Sequence, residues 1–197
     1  MQYPNHLLKL IDVFKKLPGV GTKSAERFAF HVLQWPEEKL LEMAQTLENT
    51  KQNLQNCPEC GFLIEGACPL CQDVKRDPAT LCIVASAKDI FLIEQTHEYK
   101  GLYHVLGGLL SPLHGMIPAP QVIDKLKARV AHLGTQELIL ALDPTLEGDA
   151  TALFIKKELS DFSLRTSRLA LGLPMGSSLD YIDGGTLALA LAGRHTY

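Results

Sequence analysis

Four cysteines constrain this chain more than any other feature. Cys57-Pro-Glu-Cys60 and Cys68-Pro-Leu-Cys71 form a C-x2-C-x7-C-x2-C pattern. Each pair places two thiolates on one tight turn, and the connection between the pairs returns the second to complete a tetrahedron at Zn–S distances of about 2.3 Å. Four protein ligands leave no open coordination position, so the metal expected at Cys57, Cys60, Cys68 and Cys71 is a structural zinc and not a catalyst. Gly61 eases the first turn, and Gln72 takes the matching place in the second. The connection is too short for a DNA-reading helix of the C2H2 kind. The remaining cysteine, Cys82, lies in an apolar run and reads as a small core residue. Cysteines spent on a metal instead of disulfides point to a reducing compartment, so a cytoplasmic location is expected.

With 197 residues the chain can build one sizeable core and a smaller module. Its 46% hydrophobic and 21% charged residues exclude a fibrous or disordered protein. No apolar run is long enough to span a bilayer, and Lys9 and Asp12 break any signal-peptide segment, so no membrane partner is expected. The net charge of −3 conceals an asymmetry. Residues 1–35 carry Lys9, Lys15, Lys16, Lys23 and Arg27 against Asp12 and Glu26, a local net of +3. A polyanionic partner would meet that end.

The N-terminal segment reads as three short helices around one small core. Leu7, Leu10, Ile11, Phe14 and Leu17 follow one helical face, with Asn5 as the cap and Pro18-Gly19 as the stop. Ser24 to Leu33 form a second helix with Ala25, Phe28, Ala29 and Val32 inward. Pro36 opens a third whose stripe is Leu40, Leu41, Ala44 and Leu47. Between the first two lies Gly19-Val-Gly21-Thr-Lys23-Ser-Ala-Glu-Arg27. Glycines let the backbone approach a phosphate, the N–H groups of the second helix start face it, and Lys23 and Arg27 share one helical face. Such a clamp holds nucleic acid without reading bases. A plain turn between helices is the competing reading.

Asp77-Pro78 reads as a turn that closes the small module, and strands then alternate with helices. The strands are 81–85, 103–108, 137–142 and 164–171, and the helices 86–95, 120–133 and 150–159. That rhythm predicts a mostly parallel α/β sheet covered on both faces, with functional groups at the carboxyl ends of its strands. Arg165 and Arg168 read as solvated edge charges, and none of the seven histidines stands at a nucleophile spacing. The loop 110–120 reads as a contact surface. A short apolar helix, TLALALAG, closes the tail and either crosses a subunit boundary or caps its own sheet.

The hairpin resembles the helix-hairpin-helix of DNA repair proteins. Followed by CPEC and CPLC, then LSPLHGMIP, DPTLEGDAT and Gly193-Arg194-His195, it resembles the bacterial recombination mediators of the RecR family along nearly the whole chain. The resemblance implies an α/β chain in four parts. These are a helix-hairpin-helix module at 1–56, a four-cysteine zinc finger at 57–72, a Toprim domain at 80–175 and a tail at 176–197 that offers an oligomer contact. It also implies a non-catalytic role in DNA repair and recombination. The expected protein acts with RecO and RecF to load RecA on gapped DNA coated by single-strand binding protein, as a homo-oligomer, dimer or tetramer, in a ring-like clamp. DNA would be held without sequence preference, at gaps or single/double-strand junctions, by Gly19, Gly21, Lys23 and Arg27, and partner proteins would meet Glu147 and Asp149.

Toprim enzymes hold Mg2+ with a glutamate after the first strand and an Asp-x-Asp pair after a later one, because hard carboxylate oxygens suit Mg2+ against phosphate. Here the corresponding positions are Ala85, Asp143 and Thr145, so two of three ligands are missing and no catalytic residue is expected. A Mg2+-dependent nuclease or primase-like enzyme using the Asp143 loop is the main alternative, and a zinc-stapled scaffold that binds only proteins is another.

Overall fold

The computed structural model describes residues 3–111 and 120–194. Most of LSPLHGMIP, with His114, and also His195 of the Gly-Arg-His ending, lie outside the described residues. The chain divides into two compact units, Met1–Leu54 and Gln55–Tyr197.

In the first unit α1 (Asn5–Lys15), α2 (Thr22–Val32) and α3 (Glu37–Asn53) follow one another. Ile11 and Phe14 of α1 pack on Ala25 and Ala29 of α2, with Leu7, Leu10, Val20 and Val32 at the margin. The alanines leave room for Phe14, and Phe28 stands outside this core, in edge contact with Phe14 at 6.0 Å between ring centroids. Asn5 is the first helical residue, not the cap; Pro4 holds that place, its fixed φ of −57° suiting a helix start. α2 begins two residues before the expected Ser24, because Gly21 is its N-cap. The third helix departs most from expectation. It runs 17 residues and buries none of them, so the small core rests on two helices and not three.

The second unit opens with a small antiparallel pair, β1 (Gln55–Asn56) and β2 (Leu63–Ile64), that brackets the first cysteine turn. A four-stranded parallel sheet follows, built from β3 (Asp77–Val84), β4 (Gly101–Val105), β5 (Glu137–Ala141) and β6 (Arg165–Arg168) in the order β4-β3-β5-β6. The helices are α4 (Ala87–Glu94), α5 (Pro120–Leu133), α6 (Leu146–Glu158) and, in the tail, α7 (Gly184–Ala192). Asp77-Pro78 does not end the small module. It lies inside β3, where Asp77 accepts hydrogen bonds from Ala79 N and Thr80 Oγ1. Proline cannot donate to the ladder, and the pairing with β4 slips between Asp77 and Leu81.

Alternation along the strands assigns the two faces. Leu81, Ile83, Leu102, Leu138 and Leu140 point toward α5 and α6, where Ile123, Leu126, Val130, Ala152 and Ile155 meet them. On the other face Cys82, Val84, Tyr103 and Ala141 meet Ile90 of α4 and the cysteine loop, whose Phe62, Ile64 and Leu70 join the same cluster. Cys82 is the core residue expected of it, and burial pushes its thiol up to about 12. β3 is therefore covered on both faces and paired on both edges, as its continuous apolar run requires.

The cysteine loop also closes an edge. Val105 N donates to Cys60 O at 2.8 Å, so the exposed side of β4 is met by the loop backbone. Gly61 has φ +78°, and a Cβ there would stand 2.8 Å from Val105 Cβ. Gly61→Ala combines left-handed strain with an overpacked contact, and a loss of about 2 kcal/mol is expected as a lowered thermal midpoint.

Candidate nucleic-acid interface and metal centre

The hairpin is built by helix ends. α1 closes through Lys16 N and Leu17 N, which donate to Val13 O and Phe14 O, and Val20 N returns to Leu17 O. Gly19 takes φ +78°, which turns the chain toward α2 at no side-chain cost. Gly21 then caps α2 in an extended conformation, and its carbonyl receives Ala25 N at 3.0 Å. A glycine cap has no side chain to occupy the first-turn N–H groups, and this first turn carries no acidic residue. The positive end of the helix dipole is thus left open. Lys23 and Arg27 are exposed one turn apart on α2, and among the described residues neither takes part in an ion pair. Gly19 and Gly21 lie in the turn, and Lys23 and Arg27 stand on the helix that follows it.

The four thiols also converge. All four Sγ atoms lie within 4.8 Å of one another, with Cys57 and Cys71 at 4.0 Å and Cys60 and Cys68 at 3.6 Å. A zinc tetrahedron with Zn–S bonds of about 2.3 Å requires sulfur separations of about 3.8 Å, so the donor set and its spacing fit that metal. The two turns are built alike: Gly61 N donates to Cys57 O and Gln72 N to Cys68 O. Phe62 N donates to Cys60 Sγ at 3.4 Å, the backbone contact expected of a metal knuckle. A hydrogen bond from Cys60, and then the guanidinium of Arg129, pull the Cys71 thiol down to about 5 against the cost of its burial. The same contact with Cys71, reinforced by burial, pushes Cys60 well up.

The carboxyl ends of the strands arrange the other residues. Ala85 follows β3 and packs on the core, its carbonyl accepting from Gly107 N. Thr145 is the N-cap of α6, its Oγ1 accepting from Gly148 N at 3.1 Å. Glu147 and Asp149 occupy the first turn of α6, and Asp149 is paired with Arg168. Arg168 is therefore not a free edge charge: its side chain is mostly covered, with Nη2 buried and unpartnered. Arg165 pairs with Glu137 on the adjacent strand.

Two residues with evident roles escape a reading of the sequence. His104 of β4 stands in register with Ile83 on the face toward α5, and both ring nitrogens are buried without partners among the described residues. Arg129 of α5 donates to Cys71 Sγ from the helix face that also buries Ile123, Leu126 and Val130. Arg129 does carry a local signal, since an arginine in phase with an apolar stripe needs a buried acceptor.

A short helical hairpin with an open helix N-terminus, a four-thiol knuckle and a four-stranded parallel sheet thus follow one another along the chain. Family models match in the same order: "RecR, helix-hairpin-helix" over residues 7–51, "Toprim domain" over 79–170 and "RecR, C-terminal" over 172–195. The chain is 58% identical to "Recombination protein RecR" of Protochlamydia amoebophila over 198 residues, covering 100% of both chains. It is 50% identical to the protein of that name from Chlamydia caviae, again with 100% of both covered. To that from Synechococcus elongatus it is 46% identical, over 98% of this chain and 96% of the other. The chain belongs to the RecR family.

His104 supplies a test of the sheet's packing. Burial, followed by the positive charges of Arg129 and Lys125, pulls its imidazole down to about 4. An unfolded histidine takes up a proton below about 6.5 while the folded one refuses it, so stability falls as pH drops from about 6.5 toward 4 and levels off below. The drop from this residue is about 3 kcal/mol across that window. In urea titrations at several pH values, His104→Leu is expected to be less acid-sensitive than the parent chain by that amount. Equal slopes would show that the imidazole is not held neutral.

Proposed function

We propose that this chain is a non-catalytic, DNA-binding recombination mediator of DNA repair. It holds DNA without sequence preference, at gaps and single/double-strand junctions, through the backbone at Gly19 and Gly21 and the side chains of Lys23 and Arg27. The observation that carries the reading is the open N-terminus of α2, glycine-capped and free of acidic residues, with two exposed cations behind it. Phosphate oxygens satisfy both the orphan N–H groups and the charges. The relatives' shared name supports a role in recombination. The proposed division is a hairpin module at 1–56, a zinc finger at 57–72, a Toprim domain at 80–175 and a tail at 176–197.

Self-association belongs to the proposal. One hairpin offers two cations on a chain of net −3, a weak and salt-sensitive hold, and repetition of the clamp on a dimer or tetramer raises the effective concentration. The exposed leucines of α7, a helix that buries no residue in its own chain, support such a contact. The assembled ring acts with RecO and RecF to load RecA on gapped DNA coated by single-strand binding protein. Glu147 and Asp149 are the proposed partner contacts, with Asp149 exchanging Arg168 for a partner's cation. The proposed location is the cytoplasm; among the described residues no helix is long and apolar enough to cross a membrane.

Zinc is the proposed occupant of the four thiols, serving as a staple. The absence of catalysis rests on side-chain chemistry: Ala85 carries no ligand atom and the Thr145 hydroxyl is committed to capping α6. Metal-dependent DNA cleavage or synthesis by the pure chain, abolished in Asp143→Ala, would overturn that part.

The double variant Lys23→Ala with Arg27→Ala is expected to lose most retention on gapped DNA at low salt while keeping its fold and metal. Each subunit's lost contacts should remove about two from the magnitude of the salt slope. Unchanged retention would leave the hairpin as a bare turn. Separately, Cys57→Ser is expected to release the metal and lower the melting temperature, because metal binding supplies part of the folding free energy. Elemental analysis beside a thermal melt reads both.

A further inference from the structure

We propose that Arg129 is a positioning residue for the metal centre: from α5 its guanidinium donates to Cys71 Sγ, offsets part of the cluster's negative charge and ties the cysteine loop to the α/β sheet. This rests on the reading of the four thiols as a zinc site.

The geometry leaves Arg129 little other reason to be where it is. Its side chain is only 6% exposed. A guanidinium stays charged in any protein, so burying it is costly without a matching acceptor. Glu59 accepts from Nη1 at 3.5 Å, but its own side chain is 69% exposed, and water screens such a pair heavily. Nε is buried and has no partner among the described residues. The remaining contact is Nη2 to Cys71 Sγ at 3.4 Å. A neutral thiol is a weak acceptor, whereas a metal-bound thiolate is a strong one. Zinc held by four thiolates keeps an excess of negative charge, and a fixed cation at hydrogen-bond range is its natural counterweight.

The neighbouring charges do not replace it. Lys125 and His132 line the same groove of about 400 Å3 between α5 and Pro58-Glu59, but among the described residues neither donates to a thiol. The loop is thus fastened to the sheet at two separate points, Val105 N on Cys60 O from β4 and Arg129 on Cys71 from α5. Of these, only the arginine addresses a ligand atom directly.

The test uses the full-length chain. Elemental analysis first measures its metal; a wild-type chain that never holds one zinc would overturn the metal reading itself. With one zinc bound, transfer to a chromogenic chelator is timed for the wild type, Arg129→Met, Arg129→Lys and Lys125→Ala. Methionine keeps the apolar stem and removes the donor, and transfer is expected to quicken about ten- to hundredfold. Lys125→Ala, which removes a nearby charge but no hydrogen bond, should behave as wild type. In the Co2+-loaded chain, Arg129→Met should move the thiolate-to-metal charge-transfer band to lower energy while the ligand-field bands keep their tetrahedral pattern. A merely structural role would leave that band in place. Arg129→Lys is expected between the two in both readouts, and it decides the matter alone if Arg129→Met does not fold. One zinc per chain with transfer rate and band unchanged in the arginine variants would overturn the proposal.

Discussion

The second unit depends on a loop too small to hold itself. β3 needs cover on both faces, and on the α4 side part of that cover is Phe62, Ile64 and Leu70 from the cysteine loop. The loop's own strands are two residues each, far short of an independent core. Four thiols at tetrahedral spacing offer a remedy, because the structural metal proposed for them would fix the chain at four points. The loop then does two jobs at once, filling one face of the sheet and pairing Cys60 O with the edge of β4. The cysteine loop and the sheet are in this sense one structure.

Charge separates the two units as clearly as packing does. The hairpin end is positive, while the rest of the chain carries an excess of negative groups. Inside the second unit several of the negative groups are matched: Glu94 by Arg76, Glu137 by Arg165, Asp149 by Arg168 and Glu158 by Lys127. In the hairpin Lys23 and Arg27 stay unmatched among the described residues. Leaving two cations and an uncapped helix end together forgoes what a serine cap and an i,i+4 acid would add to stability. The proposed phosphate contact requires that sacrifice, since a ligand must find the groups unoccupied.

Much of this is readable from local pattern. Helix 120–133 has the bounds its periodicity predicts, and the strand and helix order of the sheet follows from the change of rhythm after Thr80. The cysteine spacing points to the metal geometry because four ligands on two tight turns admit few arrangements. Where expectation fails, tertiary context is the reason. The stripe of α3 looks like a core face, yet Leu41 and Leu47 are exposed, since periodicity shows an amphipathic helix but not its partner. Asp77-Pro78 reads as a break because proline punctuates most chains, while a strand that bulges at its start can absorb it. His104 is invisible to pattern because one strand residue in register with isoleucine and leucine carries no local sign of its burial.

The carboxyl edge of the sheet carries side chains of a different chemistry from a divalent-metal site. Divalent-metal catalysis at these positions needs carboxylates at the ends of two strands. In this chain the position after β3 is an alanine packed on the core, and the end of the later pair is a threonine whose hydroxyl satisfies Gly148 N. Both residues serve the scaffold: the alanine packs on the core and the threonine caps α6. The acids that remain in the first turn of α6 serve the helix dipole, and one of them is tied to Arg168. What the edge presents to a partner is a polar surface carrying the Asp149–Arg168 pair, the feature on which the proposed protein contact rests.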